Sequence, residues 1–367
     1  MFKSLSPIEI ALIKKLSGKS SGGGGGGGAS ASPKDVNFYD YDGILIASYS
    51  LSEVQSLTAL PDSPTHDGLT FQGWNYTLEQ VKAFTRPMNV GAMYITDDGK
   101  TRLYIRIAAE GRMNVPLYIS QTVANGVIID WGDGSATQTL TGTGNVNTTH
   151  IYANIGDYVI TLDPVDGCIL GFGKGSSSYC VLGNTGNNGK VYCNMLQDVQ
   201  VGTSVTSIGG YAFDNCYSLA SVTIPDGVTS IGDSVFYNCY SLASVTIPDS
   251  VTSISINAFG NCYSLASVTI PDSVTSISNN AFVYCYSLAS ITIPDSVTSI
   301  SNNAFGNCCG MAEYHLNPTT PPTLSNTNAF GNIPSDCIIY VPAGCLEVYQ
   351  NATNWATYAS KMQEEPA

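Results

Sequence analysis

The residue types that usually carry catalysis are sparse and widely separated in this sequence of 367 residues. Its three histidines, His66, His150 and His315, fall in three separate segments, and no serine lies in a nucleophile-elbow motif. Asp40 and Asp42 have the spacing of some phosphotransfer and calcium motifs. However, an Asp-Gly pair is also the ordinary hairpin turn, and the rest of either motif is missing. We therefore predict no catalytic residues, no cofactor and no enzyme activity.

Cysteine is the reactive residue that recurs with a fixed spacing. The chain contains eleven cysteines, and five of them lie 23 residues apart. No metal site is predicted, because these cysteines belong to successive repeats and no histidine accompanies them. We interpret them as buried small apolar side chains, while disulfides between neighbouring repeats stay geometrically conceivable. The five residues are Cys216, Cys239, Cys262, Cys285 and Cys308.

A carboxylate also recurs once per repeat, directly after the proline that ends a predicted strand. Such a row could bind cations along one edge of the repeats, although solvated turns explain the same pattern. The residues are Asp226, Asp249, Asp272 and Asp295.

Tyrosines and hydroxyl residues are the best candidates for ligand contact. A tyrosine follows each of four column cysteines and should point away from the corner that the cysteine fills, with Tyr237 and Tyr284 nearby. Stacked exposed tyrosines suit protein or sugar recognition, but identical stacked rings can also serve only to stabilise a repeat array. The outward strand residues add a hydroxyl-rich surface of the same period, which better matches a repetitive ligand than one unique epitope. The predicted binding residues are Tyr217, Tyr240, Tyr263, Tyr286, Ser221, Thr223, Ser244, Thr246, Ser267, Thr269, Ser290 and Thr292.

A 23-residue repeat, predicted over residues 196–315, must position these side chains. A fixed period of this size indicates a solenoid, whose coils bury their apolar faces against one another. Val222 and Ile224 are two apart in one strand and face inward, so Ser221 and Thr223 face outward. Each coil has room for a strand, a short second strand and one helical turn, and coils should advance by about 4.8 Å. The other inward positions of this coil are Leu219, Val228, Ile231, Phe236 and Cys239.

The repeat resembles the BspA-type leucine-rich repeat of bacterial surface proteins. This resemblance covers about a third of the chain and implies binding and adhesion, without catalytic residues. Residues 316–367 are similar to the cap that closes such arrays, through residues 339–343, Tyr349, Trp355 and Tyr358. In the first copy the matching residues are Ala212-Phe213, Asn215-Cys216, Ser218 to Asp226 and Val228 to Ile231.

Residues 100–165 are predicted to form a β-sandwich. The run 128–135, followed by His150, Tyr152 and Tyr158, resembles a PKD-type immunoglobulin-like domain. The resemblance implies a core position for Trp131, a structural role for His150 and a spacer or weak binding function. Residues 166–195 are rich in glycine and serine, and we predict a junction that covers the open end of the solenoid.

Residues 35–99 are predicted to form a small α+β domain. Two strands are followed by a capping box from Ser50 to Glu53 that starts a helix to about Leu60, with a second helix near residues 78–84. The segment resembles the β-grasp repeat of internalin-type and other bacterial surface proteins. The residues that carry this resemblance are Pro64-Thr65, Gly68, Phe71 and Gly73-Trp74.

The N-terminal segment is predicted to anchor the chain, unless it is a frayed tail. Residues 1–17 contain an amphipathic helix whose apolar stripe should attach to a larger assembly. Residues 18–34 include a glycine run and form a flexible linker. The apolar run 8–13 is too short for a signal peptide, so we expect another route out of the cell, such as phage assembly and lysis. The anchoring residues are Ile8, Leu12, Ile13 and Leu16.

Composition limits the classes of partner. Only 11% of residues are charged, the net charge is -14, and Lys361 is the sole basic residue from Val201 onward. An acidic solenoid of this kind argues against binding to nucleic acid or to anionic membranes. No run of residues is long enough to span a membrane. The predicted fold class is mostly β and multidomain, with a BspA-type leucine-rich repeat solenoid preceded by a PKD-like β-sandwich and a β-grasp-like α+β domain.

These features predict a non-enzymatic structural or adhesion protein. The leading hypothesis is a phage virion protein, on the tail or capsid surface, that binds a protein or glycan on the host cell. It would join the virion through its N-terminal helix, and a homo-oligomer is compatible with this role. The alternatives are a bacterial cell-surface adhesin and a targeting module for a partner enzyme.

Overall fold

The structure is a computed structural model that describes residues 34–39, 45–62, 69–74, 78–82, 88–96, 99–172, 179–184 and 190–366. The chain divides into two compact units, residues 1–98 and 99–367. No helix in the described ranges is both long enough and apolar enough to cross a membrane. Several predictions lie outside these ranges: the anchoring residues Ile8, Leu12, Ile13 and Leu16, the glycine run, Asp40, Asp42 and His66.

The first unit contains a mixed sheet and two short helices. Its described elements are β1 (Val36–Tyr39), β2 (Leu45–Tyr49), α1 (Leu51–Val54), β3 (Leu69–Trp74), α2 (Leu78–Lys82) and β4 (Met88–Thr96). The strand order is β2-β1-β4-β3, with β1 parallel to β4 and the other pairs antiparallel. Val36 and Phe38 from β1 pack with Val54 and Val81 from the two helices in one apolar cluster.

Helix α1 begins as predicted but is shorter than predicted. Ser50 and Glu53 form the capping box, in which the Ser50 side chain accepts from the Glu53 N–H and the Glu53 carboxylate accepts from the Ser50 N–H. The helix ends at Val54 rather than near Leu60. The Ser56 hydroxyl donates to the Glu53 carbonyl at 2.8 Å, and such a local bond competes with continuation of the helix.

The second unit starts with two antiparallel groups of strands. They are β5 (Thr101–Ile107), β6 (Asn114–Gln121), β7 (Val127–Asp130), β8 (Gln138–Leu140), β9 (Gly144–Ile151) and β10 (Gly156–Pro164), with a 3₁₀ helix at Glu110–Arg112. β5, β10, β7 and β8 belong to one sheet, and β6 and β9 belong to another. Trp131 is buried in the core, as predicted, and its carbonyl accepts a bond of 2.8 Å from the hydroxyl of the buried Tyr152.

A short segment then joins these strands to the repeats. Its elements are β11 (Leu170–Phe172), β12 (Tyr179–Cys180), β13 (Gly183–Asn184) and α3 (Lys190–Cys193). Val181 is buried and connects the repeats to the preceding strands. Its N–H donates to the Ala212 carbonyl in the repeats, and its own carbonyl accepts from the Tyr118 N–H in β6. A disulfide links Cys180 to Cys193, a pairing that the sequence analysis did not predict.

Each repeat forms one coil with a strand on either wall. The coil strands are β14 (Leu196–Gln200), β15 (Val205–Ile208), β16 (Ser221–Thr223), β17 (Ser230–Ile231), β18 (Ser244–Thr246), β19 (Ser253–Ile254), β20 (Ser267–Thr269), β21 (Ser276–Ile277), β22 (Ser290–Ile293) and β23 (Ser299–Ile300). All the predicted inward positions of the coil that contains Val222 are buried, which confirms the interpretation of the repeat. The third side is a series of hydrogen-bonded turns around Phe236. The phenylalanine rings of successive coils stack at 5.3 to 5.4 Å, close to the expected rise per coil.

The walls of the solenoid continue into the preceding strands. β14 pairs in parallel with β16 on one side and antiparallel with β5 on the other, within an eight-stranded sheet of order β20-β18-β16-β14-β5-β10-β7-β8. On the opposite wall, β11 pairs in parallel with β15 and antiparallel with β6. Residues 99–367 accordingly form one compact unit. The reason is that strands from residues 101–172 pair with the edge strands β14 and β15 of the first coil, whose backbone groups would otherwise be unpaired.

Strands also follow residue 315, in the segment that was predicted to be the cap. The last elements are β24 (Glu313–Leu316), β25 (Thr323–Leu324), β26 (Ile338–Val341), α4 (Leu346–Asn351), a 3₁₀ helix at Trp355–Lys361 and β27 (Met362–Glu364). β22, β24, β26 and β27 form one parallel sheet, and the Phe330 ring stacks on Phe305 at 5.4 Å. Buried Tyr349 and Trp355 then close the array by donating to the carbonyls of Pro318 and Pro322, respectively.

Candidate ligand-binding surface

Four tyrosines form a stacked column along one corner of the solenoid. We call Tyr217, Tyr240, Tyr263 and Tyr286 the tyrosine column. Successive ring centroids lie 4.7, 4.6 and 5.0 Å apart, with interplanar angles of 9°, 3° and 24°. Because each tyrosine follows a buried cysteine in a coil of constant length, the rings repeat in register. Tyr217, Tyr240 and Tyr263 are partly buried and Tyr286 is 43% exposed, so the column presents its edges to solvent.

An asparagine two residues before each of the first three tyrosines turns the backbone. Asn215, Asn238 and Asn261 have positive φ angles of 60°, 62° and 60°, which asparagine tolerates better than most residues. Their side chains form an asparagine ladder: the Asn238 amide donates to Asn215 at 3.0 Å, and the Asn261 amide donates to Asn238 at 2.7 Å. The Tyr217 hydroxyl donates to the Asn215 oxygen at 3.0 Å, which ties the column to the ladder.

The ladder is interrupted at Tyr284. This residue occupies the asparagine position with a φ of 60°, a conformation that is unusual for a bulky side chain. Its ring is 39% exposed and packs edge to face against Tyr286, with centroids 6.0 Å apart. The ladder resumes one coil later, where Asn332 donates to Asn307 at 2.9 Å. Tyr284 and Tyr286 are thus the most exposed aromatic pair of the column region, at its C-terminal end.

Burial acts on the hydroxyls of two tyrosines of the column, Tyr217 and Tyr240. Burial and the Asp214 carboxylate raise the pKa of Tyr217. Burial and the adjacent tyrosines raise the pKa of Tyr240. Tyr237, predicted to lie near the column, is partly buried and packs over Gly260, where a Cβ atom would lie 2.9 Å from the ring.

The outward strand residues form a flat wall, which we call the hydroxyl face. Parallel pairing places Ser221, Ser244 and Ser267 in register on adjacent strands. From Ser244 onward the hydroxyl residues are exposed, whereas Ser221 and Thr223 are half-buried. The Ser221 hydroxyl donates to the Asp198 carboxylate at 2.7 Å, so it is engaged within the protein. The face comprises Ser221, Thr223, Ser244, Thr246, Ser267, Thr269, Ser290 and Thr292.

The remaining candidate residues have structural positions. The turn residues Asp226, Asp249, Asp272 and Asp295 are all exposed, as expected of solvated turns. The column cysteines are buried, as predicted, and burial raises the pKa of the Cys239 thiol well above its usual value. The Cys239, Cys262, Cys285 and Cys308 thiols each donate to the carbonyl of a phenylalanine in the preceding coil at 3.2 to 3.3 Å.

The two described histidines lie in unrelated local networks. His150 bonds to the Asp133 carboxylate at 2.7 Å and stacks on Trp131 at 4.8 Å. Burial acts to raise the pKa of Asp133, but its bonds with Ser135 and His150 outweigh burial and lower the pKa to about 2. His315 bonds to the Glu365 carboxylate at 2.7 Å, near the C-terminal end of the solenoid. Neither His150 nor His315 has a hydrogen bond or ring contact with a residue of the tyrosine column.

Asp198 is a buried carboxylate that the sequence analysis did not single out. It lies on β14, where later coils carry the serine of the hydroxyl face, and only 4% of its surface is exposed. Burial raises its pKa to about 6, although hydrogen bonds from Ser221 and from the Val199 backbone act in the opposite direction. Its position next to β5 explains the burial, because strands from outside the repeats cover this end of the wall.

Comparison with known proteins identifies the repeat. The family model described as BspA type leucine rich repeat region matches residues 187–312 in six copies. No curated protein matches the sequence. The match does not include residues 35–165, so the PKD-like and β-grasp-like domains stay predictions.

Several solved structures are similar to part of the chain. A leucine-rich repeat protein of T. pallidum shares 29% identity over 44% of this chain and 77% of its own, with a TM-score of 0.35. A leucine-rich repeat protein from Bacteroides ovatus shares 24% identity over 41% of this chain and 50% of its own, with a TM-score of 0.32. A leucine rich cell surface protein from Faecalibacterium prausnitzii shares 22% identity over 48% of this chain and 82% of its own, with a TM-score of 0.23. Residues 187–312 of this chain are therefore similar to the BspA-type leucine-rich repeat.

Proposed function

We propose that this chain is a non-enzymatic binding protein whose solenoid contacts a repetitive protein or glycan on a cell surface. The tyrosine column carries the proposal, because its stacked rings keep exposed edges and lie on the same coils as the exposed part of the hydroxyl face. Tyrosine edges supply apolar area with a polar tip, and serine and threonine supply short hydroxyls. This combination suits sugar rings or an extended polypeptide.

The period of the surface favours a ligand that is itself repetitive. Each coil offers nearly the same tyrosine, serine and threonine, and the tyrosine rings recur every 4.6 to 5.0 Å. A ligand with repeating units can occupy several coils at once. The later contacts are then intramolecular, so weak individual contacts add to a useful affinity.

The charge of the solenoid narrows the ligand class. From Val201 onward the chain has eleven carboxylates against the single Lys361. A polyanionic ligand would meet repulsion along the array and no clustered cations to offset it. A neutral glycan or an uncharged to basic protein segment therefore fits the surface best.

The setting that we favour is a phage virion whose solenoid contacts the host. The amphipathic pattern of residues 1–17 and the glycine-rich linker after it are the sequence features that support attachment to a larger assembly. A bacterial cell-surface adhesin is the alternative, because the BspA-type repeat is typical of such proteins.

Mass spectrometry of purified virions and of a cell-envelope fraction from the source culture separates these two settings. The phage setting predicts the full chain, including peptides from residues 1–28, in the virion fraction. Recovery in the envelope alone would refute the phage setting and leave the adhesin.

The binding role is tested separately, with the purified full chain as a labelled probe on a glycan array and on intact bacterial cells. The double variant Tyr240→Ser with Tyr263→Ser should lose about tenfold or more in apparent affinity, because it removes two central rings. A matched control carries Thr252→Ala and Thr275→Ala, at exposed positions flanking the strands of the opposite wall. Unfolding curves confirm that both variants fold. Equal binding by both variants would refute the tyrosine column as the contact surface.

A further inference from the structure

Three sulfur atoms converge at the N-terminal end of the cysteine column. The sulfurs of Cys180, Cys193 and Cys216 all lie within 4.8 Å of one another, and all three residues are buried. They come from three different places: strand β12, the end of helix α3 and the corner of the first full coil. Cys180 and Cys193 are joined as a disulfide, and Cys216 is a free thiol.

The position of Cys216 differs from that of the other column cysteines. In the later coils the cysteine thiol donates to a phenylalanine carbonyl 26 residues earlier in the chain. The residue 26 positions before Cys216 is Lys190, the first residue of α3, so no phenylalanine of an earlier coil stands there. The preceding layer instead contains residues 179–184 and 190–193, which we call the junction segment and which bring two further sulfurs to the head of the column.

The spacing of these sulfurs suits a soft metal ion. Thiolates bind Zn²⁺ at about 2.3 Å in a tetrahedral arrangement, which places bound sulfurs about 3.8 Å apart. The Cys216 sulfur is already within about 1 Å of that separation from both partners. The sulfurs of Cys180 and Cys193 would only have to separate to the same distance once their bond is broken. Within the described residues, this is the one cluster of three or more potential ligand side chains with that proximity.

We propose that Cys180, Cys193 and Cys216 form a redox-dependent binding site for one soft divalent cation of the Zn²⁺ class. In the disulfide state, the Cys180–Cys193 bond joins β12 to α3 and so fastens the two parts of the junction segment to each other. A dithiol reductant supplies two electrons and two protons, breaks that bond and is itself oxidised to a disulfide. The three thiols then release three protons and bind the cation, with a fourth position open to water.

The two states would serve the same structural purpose in different environments. The first coil is covered by buried Val181 and Leu182, whose position depends on this segment. In an oxidising compartment the disulfide holds the segment, and in a reducing compartment the cation takes its place. The end of the solenoid therefore stays closed before and after export or release. This inference is independent of the tyrosine column.

The test uses the full chain and Cd²⁺ as the probe. The background variant Cys309→Ser removes the exposed thiol. The protein is reduced with a phosphine, freed of reductant without oxygen and titrated with Cd²⁺, while ultraviolet absorption reports thiolate-to-cadmium charge transfer. The expected result is one equivalent per chain in the reduced state and none in the disulfide state. X-ray absorption on the zinc-loaded chain should count three sulfur ligands.

Matched variants locate the site. Cys216→Ser in the same background should lose the one-equivalent uptake. Cys262→Ser, at an equally buried column position without neighbouring disulfide sulfurs, should retain it. The X-ray absorption measurement uses a chain in which Cys180, Cys193 and Cys216 are intact. It therefore tests the proposal even if the Cys216→Ser variant fails to fold. Reduced protein that takes up no sulfur-ligated cation, or a folded Cys216→Ser variant that binds like its parent, would overturn the proposal.

Discussion

Replacing Tyr284 with asparagine should stabilise the solenoid. Tyr284 holds a left-handed backbone conformation that costs a bulky residue about 1 kcal/mol relative to asparagine. Asparagine would also complete the ladder between Asn261 and Asn307, and two partly exposed amide bonds add about 1 kcal/mol together. The substitution removes the edge-to-face pair with Tyr286, which is worth about 0.5–1 kcal/mol. The net expected gain is about 1 kcal/mol.

Urea unfolding of the full chain, followed by far-ultraviolet circular dichroism, measures this gain as a higher midpoint at unchanged slope. Two controls separate the contributions. Tyr284→Phe keeps the ring and the backbone conformation and should leave the midpoint unchanged. Asn261→Tyr imposes the same conformation and breaks the ladder one coil earlier, so it should lower stability by about 1–2 kcal/mol. A neutral or destabilising Tyr284→Asn, together with a harmless Asn261→Tyr, would refute the ladder argument.

The same variants also address function, because strained residues often persist where they serve a binding role. If Tyr284 and Tyr286 contact the ligand, Tyr284→Asn should bind glycans or cells more weakly although it is more stable. A variant that gains stability and keeps full binding would show that the exposed pair is not part of the contact surface.

Three further outcomes are expected. Asp198→Asn should stabilise the chain by about 2–3 kcal/mol at pH 8 and by little at pH 4. The reason is that the pKa of Asp198 is about 6 in the folded chain, above its value in the unfolded chain, so the folded state is destabilised when this carboxylate ionises as the pH rises. Urea unfolding midpoints measured at both pH values check this. Asp133→Asn should lower the free energy of unfolding by about 1 kcal/mol at pH 7, after allowance for solvent screening, and should have no effect near pH 2. The lowered pKa of Asp133 stabilises the fold fully above about pH 4, and this stabilisation is lost as the pH falls to 2. Thermal unfolding across this pH range tests it. Phe259→Ala should cost about 3–5 kcal/mol in urea unfolding, because it leaves a gap between Phe236 and Phe282; a loss below 1 kcal/mol would contradict the packing of that stack.

Side-chain direction in the coils could be predicted because a strand alternates its faces. Val222 and Ile224 point inward, and the serines and threonines between them point outward, as the two-residue period requires. The tyrosine column follows from the same reasoning, since Tyr240 follows buried Cys239 in a coil of fixed length. Its role in binding stays a prediction.

The missed features depend on contacts between distant segments or on backbone conformation. The sequence of residues 101–107 predicts a strand, but its alternating pattern does not depend on which strand pairs with it. The pairing with β14 could therefore not be predicted. Disulfide connectivity cannot be deduced from eleven cysteines, so the Cys180–Cys193 bond was missed. The asparagine ladder could have been predicted from the sequence. The pair Asn215-Cys216 recurs in later coils, and asparagine favours the left-handed region of backbone conformation. Tyr284 contradicts that local preference, so only the structure reveals its backbone conformation.

The unbroken sheets have a mechanical consequence. Backbone hydrogen bonds connect the eight strands from β8 through β7, β10, β5, β14, β16 and β18 to β20, so the strands before the repeats and the first coils share one sheet rather than a flexible joint. A tensile load between the coils and the strands that precede them must shear the β5–β14 and β11–β15 ladders together. Resistance to shear rises when several bonds break at once, and we expect this junction to yield at higher force than a tethered linker would. A force that a ligand applies to Tyr217, Tyr240 or Tyr263 would therefore be transmitted through these two ladders to the strands that precede the repeats.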